Sequence, residues 1–277
     1  MKKAILFLIL TFFSYFSFAQ TEATTTDGKK VILYPDGTWK PVIASTLSPV
    51  VAIPHLEIPK TGPKDLIITH TGYTLSYDVN FKQAVWVAYE LTEEETNPVV
   101  ERKDHFLPDP LLKSGSAAKS DYDKKYDQGH LAPCADMCYS FKTMDESFYL
   151  SNISPQVPGF NRGIWKRLED QVRQWAIDNK AVYIVTGGIL TKGLPTIGSN
   201  KVAVPHYFYK VILDYTEPGI KGIGFILPNE SSKEPLQQYA VTIDSVEKVT
   251  NIDFFYQLPD DREKLIESKI DLNQWSW

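Results

Sequence analysis

Twelve consecutive residues, YDQGHLAPCADM from Tyr126 to Met137, bring together acids, a glycine, a histidine, a proline and a cysteine. His130 follows a glycine and precedes Leu-Ala-Pro, which predicts an imidazole at a strand end, and histidine titrates where a general base must work. A lone histidine is more often structural than catalytic, so its company decides. Downstream, FYLSNISPQVPGFNRGIWKRLE carries Asn152, Asn161 and Glu169, with Asn161 at the start of an amphipathic helix. Eight residues along a helix are about 80° of rotation and roughly 12 Å of rise, so Asn161 and Glu169 fall on neighbouring faces two turns apart. An amide oxygen ringed by waters suits a hard cation such as magnesium; an asparagine at a helix start is equally well explained as an N-cap. A different chemistry is offered by His130, Cys134 and Cys138, whose four-residue spacing and nitrogen and sulfur donors are those of a zinc site. Pro133 interrupts the helix such a site would need, and no fourth ligand is nearby.

These residues need a frame. TGYTLSYD, AVWVAYEL, AVYIVTGGIL, VPHYFYKVILDY and GIGFILPN read as strands, rich in aromatic and β-branched residues. NRGIWKRLEDQVRQWAIDNKA reads as the best helix, with Trp165, Leu168, Val172, Trp175 and Ala176 making one apolar stripe. Its tryptophans are therefore expected to be core residues, not base-stacking platforms. SVEKV and residues 260–269 read as short helices. His55, His70, His105 and His206 lack comparable company and are expected to be surface or structural.

The chain opens MKKAILFLILTFFSYFSFAQ, two lysines, an apolar run and a small residue, the pattern of a secretory leader cleaved near Ala19 or Gln20. Losing Lys2 and Lys3 takes the formal charge from -5 to -7. That disfavours binding nucleic acid by bulk charge but does not exclude a local basic patch or a bound divalent cation. Two cysteines are too few for a disulfide framework; a single bridge and two half-buried thiols both fit their spacing. TEATTTDG reads as polar and loose, KKVILYPDGTWK as a hairpin around Pro-Asp-Gly, and the following proline-rich stretch as a linker. The expected organisation is a leader over 1–20, a small hairpin and linker over 21–60, and a catalytic domain over 61–277. No later segment is long and apolar enough to span a bilayer, so no stable membrane association is expected.

DQGHLAPCADM resembles the Asp-Arg-Gly-His signature, and the loop after it, of the DNA/RNA non-specific endonucleases of the ββα-metal class, the endonuclease G-like and secreted bacterial sugar-non-specific nucleases. FYLSNISPQVPGFNRGIWKRLE resembles that family's Asn-Ile-x-Pro-Gln, asparagine, tryptophan and leucine-glutamate series. The similarity continues through VYIVTGGIL, VPHYFYKVIL, GFILPN and VTIDSVEKVTNIDFFYQLPDD, over about residues 62 to 270. The resemblance implies an α+β fold, a mainly antiparallel central sheet flanked by helices, with a ββα-metal element around His130 and Asn161. It implies that His130 is the general base, Asn161 the protein ligand of Mg2+ (with Mn2+ as a substitute), Glu169 the carboxylate holding metal-bound waters, and Asn152 an orienting residue. Arg102 matches an arginine that stabilises charge on the phosphate. The implied activity is cleavage of DNA and RNA with little sequence preference, leaving 5′-phosphates, outside the cytoplasm in the periplasm or beyond; a homodimer is left open. One position departs from the pattern: Gln128 stands where the family has arginine. Glutamine can hydrogen-bond a phosphate but brings no charge. Lys124 or Lys125 is a candidate to replace that charge, and a nucleic-acid- or partner-binding protein on a catalytically weakened scaffold is the alternative reading.

Overall fold

The computed structural model describes residues 21–24, 30–33, 39–41, 51–123, 125–217 and 219–277. The leader, the Pro-Asp-Gly turn and Lys124 lie outside them. The chain forms two compact units, Met1–Leu47 and Ser48–Trp277. In the first, β1 (Thr21–Thr24), β2 (Lys30–Leu33) and β3 (Trp39–Pro41) form an antiparallel sheet in the order β1-β2-β3. The expected hairpin is the β2–β3 pair, which aligns Leu33 with Trp39. The stretch read as loose instead contributes β1, which aligns Thr21 with Leu33. Three strands are a more stable unit than the lone hairpin the sequence suggested.

The second unit is built on seven strands. These are β4 (Leu66–Thr69), β5 (Thr74–Asp78), β6 (Gln83–Thr92), β9 (Ala181–Gly188), β12 (Tyr207–Asp214), β13 (Lys221–Pro228) and β14 (Ala240–Val241). They lie in the order β14-β13-β12-β9-β6-β5-β4, and every pairing is antiparallel. The β6–β9 pair joins the two groups of strands that the sequence separates by the amphipathic helix. Between them in the chain come β7 (Asp127–His130) and β8 (Ile153–Gln156), which pair apart from the main sheet. A short pair, β10 (Thr196–Ile197) and β11 (Val202–Ala203), also stands outside it.

Helices cover both faces. On one, Leu168, Val172, Trp175 and Ala176 of α2 (Lys166–Asn179) pack with Val87 and Tyr89, Val182 and Ile184, Phe208 and Ile212, and Phe225. On the other, α3 (Ile243–Thr250) and α4 (Asp260–Glu267) bring Ile243, Val246 and Ile266 onto Trp86 and Ala88, Val185, and Tyr209, Val211 and Leu213. The alternation explains the sequence: β12 reads as a continuous apolar run because each of its faces meets a core. The helix α1 (Phe141–Ser147), capped by Ser140, was not legible as a helix. Residues at the end of the stretch read as linker belong to the core. Leu56 has no exposed surface, Ile53 and Ile58 pack beside it, and the Lys60 amide donates to the Asp253 carbonyl at 2.9 Å. The structure is thus an α+β fold whose central antiparallel sheet is flanked by helices.

Candidate active site

Strands β7 and β8 form a two-stranded ribbon that pairs Gly129 with Ser154 and His130 with Ile153. A Cβ at Gly129 would collide with the Gln156 side chain, so the close approach requires a glycine. His130 ends β7, where the preceding glycine and following Leu-Ala-Pro suggested. The chain beyond it is clamped by Asn152. This amide accepts from Ala132 N at 2.9 Å and donates to the carbonyls of Ala132 (2.9 Å) and Ser147 (2.8 Å), while Asn152 O accepts from Leu131 N. Asn152 is fully buried and does not face the cleft. Its side-chain polar atoms are spent holding the loop that carries His130, which accords with an orienting role. Trp165 Nε1 donates to the His130 carbonyl at 3.4 Å, so a core tryptophan braces the same residue.

His130 is 7% exposed, its ring edge-on to Phe148 with centroids 4.8 Å apart and tilted against Phe106. Its Nε2 is buried with no hydrogen-bond partner. Burial, and then the nearby Arg102 guanidinium, push its pKa down to about 3, well below the near-neutral value expected of a base. The imidazole is neutral at physiological pH, the form that accepts a proton. Arg102, on the segment before Phe106, is exposed and pairs with Asp104 at 2.8 Å.

The third part of the ββα element departs from the ideal helix. Residues Phe160–Trp165 form a wide turn broken at Gly163 (φ −107°, ψ −108°), and α2 begins only at Lys166. The two-turn spacing of Asn161 and Glu169 therefore does not hold. The break lets both side chains line one cleft with His130 and Gln128. Nor is Asn161 an N-cap. Its Nδ2 donates to Asp127 Oδ2 at 2.9 Å, leaving Oδ1 as the atom free to meet a cation. Asp127 thus fixes this amide and also makes a two-pronged pair with Arg162 (2.8 and 2.6 Å). Glu169 is half-buried, and its burial raises its carboxyl above the ordinary range while Lys210 opposes this. The oxygen donors of Asn161 and Glu169, together in a cleft with an unpaired imidazole, fit a hard divalent cation.

Several residues here escaped the sequence reading. Arg162, Lys166 and Arg173 line the cleft beside Arg102. On paper they look like the solvated face of an amphipathic helix. Arg173 donates to Asp136 at 2.6 Å, and Asp136 also accepts from Tyr89 at 2.7 Å, so the loop after His130 is pinned to both α2 and the sheet. Lys210 of β12 is fully buried, its Nζ has no hydrogen-bond partner, and it lies 4.8 Å over the Trp165 ring. Burial pushes its pKa down and Glu169 opposes this.

Gln128 lines the cleft with a buried Nε2 that has no partner. Lys125 is not its replacement: it is exposed, lies over Tyr126 and does not line the cleft. The cysteines are free thiols. Cys138 Sγ donates to Ala135 O, and burial pushes Cys134 up to about 11. They pack with Val100, Met144 and Phe148, and His130, Cys134 and Cys138 do not converge, so the zinc arrangement is absent among the described residues. His70, as expected of a structural histidine, is buried against Asp109 at 2.9 Å. Trp165 and Trp175 are both core.

The profile of the family described as DNA/RNA non-specific endonuclease matches residues 52–261. A nuclease of Nostoc sp. is 33% identical over 225 residues, covering 76% of this chain and 81% of the relative. Human mitochondrial endonuclease G is 32% identical over 216 residues, 72% and 73% of the two chains. The crystal structure of an EndoG/EndoGI complex matches with a TM-score of 0.69 and 31% identity, over 75% of this chain and 91% of that one. On the match over residues 52–261 and these identities and coverages, the chain belongs to the DNA/RNA non-specific endonuclease family, whose members are nucleases.

Proposed function

We propose that the protein is a magnesium-dependent endonuclease that hydrolyses phosphodiester bonds of DNA and RNA with little sequence preference. The observation that carries this reading is the convergence of a neutral, buried His130 with Asn161 and Glu169 in a cleft ringed by Arg102, Arg162 and Lys166. With Nε2 closed off from solvent, Nδ1 is the nitrogen a water in the cleft can reach, and it takes that water's proton as the oxygen attacks phosphorus. Asn161 Oδ1 and, through water, Glu169 would hold the cation, Asp127 fixing the amide. When bound, the cation polarises the phosphate and stabilises the leaving 3′ oxygen. Arg102 compensates charge on the phosphate, and Gln128, which lines the same cleft, brings no charge to it. Asn152 positions His130 without touching substrate. Contacts to backbone and metal carry no base information, which accords with both nucleic acids as substrates; the products end in 5′-phosphate and 3′-hydroxyl.

The same reading takes residues 1–20 as a cleaved leader, residues 21–60 as an appendage and linker, and the enzyme as acting outside the cytoplasm; N-terminal sequencing of exported protein tests the cleavage. The activity test is degradation of supercoiled plasmid and of RNA, with Mg2+ and with chelator, by the wild type and by His130→Ala. Mg2+-dependent nicking lost in the variant is the expected result. Binding of plasmid without cleavage would favour the weakened-scaffold alternative that Gln128 raises. Equal activity in His130→Ala would sink the proposed mechanism.

A further inference from the structure

We propose that Asp244 and Glu247 of α3 and Glu267 at the end of α4 form a calcium site that ties the two helices together, on the face of the sheet opposite the nuclease cleft. Ligand oxygens of the three carboxylates lie within 4.8 Å of one another. Thr242 caps α3, its side chain accepting from Ser245 N, and this puts Asp244 in the first turn with Glu247 on the same face. Glu247 Oε1 accepts from Phe254 N at 2.8 Å, which fixes its carboxylate against the chain leading towards α4.

The independent observation is Glu267. It is 4% exposed, and its Oε1 is buried with no hydrogen-bond partner. Among the described residues, none of the three carboxylates has an ion pair within 4.0 Å; neighbouring Asp253 is taken by Lys60 at 2.9 Å. Burial and then the Glu247, Glu263, Asp244 and Asp253 carboxylates push Glu267 up to about 9. A buried carboxylate among like charges must gain a proton or a cation.

The donors are all oxygen, which selects a hard cation. Calcium binds oxygens at about 2.3–2.6 Å, so oxygens on opposite sides of it lie about 4.6–5.2 Å apart. Magnesium at about 2.0–2.1 Å allows at most about 4.2 Å. The three oxygens, all within 4.8 Å of one another, are within reach of one calcium ion, and three carboxylates suit calcium, which takes about six to eight oxygen ligands in a flexible shell, better than magnesium, which keeps several waters and is held by one or two carboxylates. Nothing in this site is shared with the cleft, since α3 and α4 pack on the core opposite α2.

The test is thermal unfolding of chelator-treated full-length protein titrated with CaCl2, with equilibrium dialysis of calcium. Expected are a saturable rise in Tm below about 5 mM Ca2+ and one ion bound outside the cleft per chain. The rise should persist in Asn161→Ala, which alters the nuclease cleft, and its midpoint should move at least about tenfold higher in Asp244→Asn and in Glu267→Gln. Glu267→Gln also replaces a carboxyl buried among like charges by a neutral amide, so its metal-free form should melt no lower than the wild type. A wild type without a calcium-dependent shift, or the same shift in Asp244→Asn and Glu267→Gln, overturns the proposal and leaves the carboxylates sharing a proton.

Discussion

Lowering the pH from 7 to 5 should cost the fold about 2 kcal/mol through His130 alone. The ring is buried against Phe106 and Phe148 near Arg102, and its pKa falls from 6.5 to about 3 on folding. Between those values the unfolded chain binds more protons than the folded one. The stability is therefore fully present above pH 6.5 and is lost as the pH falls towards 3. Integrating between pH 7 and 5 gives a loss of about 2 kcal/mol. Glu169, Glu247 and Glu267 have raised pKa values and act in the opposite sense, their burial being relieved as they protonate. The measurement must therefore be a double difference: urea unfolding of wild type and His130→Gln, each at pH 7 and pH 5. The lost ring contacts and the carboxylates cancel, and the stability gap should shift by about 2 kcal/mol against the wild type at pH 5. A gap constant to within about 0.5 kcal/mol would refute the claim that the imidazole is desolvated and neutral.

Asp127→Ala removes the acceptor that fixes the Asn161 amide, and the Mg2+ concentration for half-maximal plasmid nicking should rise about 10–100-fold; an unchanged titration would mean the amide is fixed by something else. Lys210→Met removes a buried ammonium that holds the Glu169 carboxyl down, so the pH optimum should move upward, and an unaltered pH profile would deny Lys210 that role. Gln128→Arg adds the missing charge, and KM for plasmid should fall about tenfold with a steeper salt dependence; equal KM and salt slope would show that this position does not meet phosphate.

His130 and Asn161 were legible because the motif around each is short and its geometry is local: a glycine that permits ribbon pairing, a histidine at the strand end. Glu169 was legible as a residue but not in its relation to Asn161, since the helical period fails at Gly163 and no pattern of apolar residues records a kink. The five longest sheet strands could be read from their composition, whereas β4, with an exposed Leu66 and Ile67, and the short β14 lack a core-facing pattern. The join of β6 to β9 is a long-range pairing that local sequence does not encode. Lys210 did leave a signal, a charged residue inside YFYKVILD, in a strand where every residue but Tyr207 is buried. Asn152 was placed near the chemistry by resemblance, and its saturated amide holds the backbone that carries His130.

The substitution at Gln128 is best understood through the partners of the cleft's cations. Arg102 is paired with Asp104, Arg162 with Asp127, Lys166 with Asp170, and Arg173 with Asp136. The first three cations are more than half exposed, and such pairs contribute only about 0–1 kcal/mol each, so a phosphate can take them at small cost. Arg173 is different: it is 18% exposed and its carboxylate is buried, so it holds the loop in place and is not available. An acidic chain can thus present positive charge where the substrate lies and neutralise it when the cleft is empty. An arginine at position 128 would add to a set of three exposed cations, not restore the only one. For that reason Gln128→Arg should lower KM while leaving kcat within about twofold; a gain confined to kcat would mean that position 128 acts on the transition state and that the three exposed cations do not.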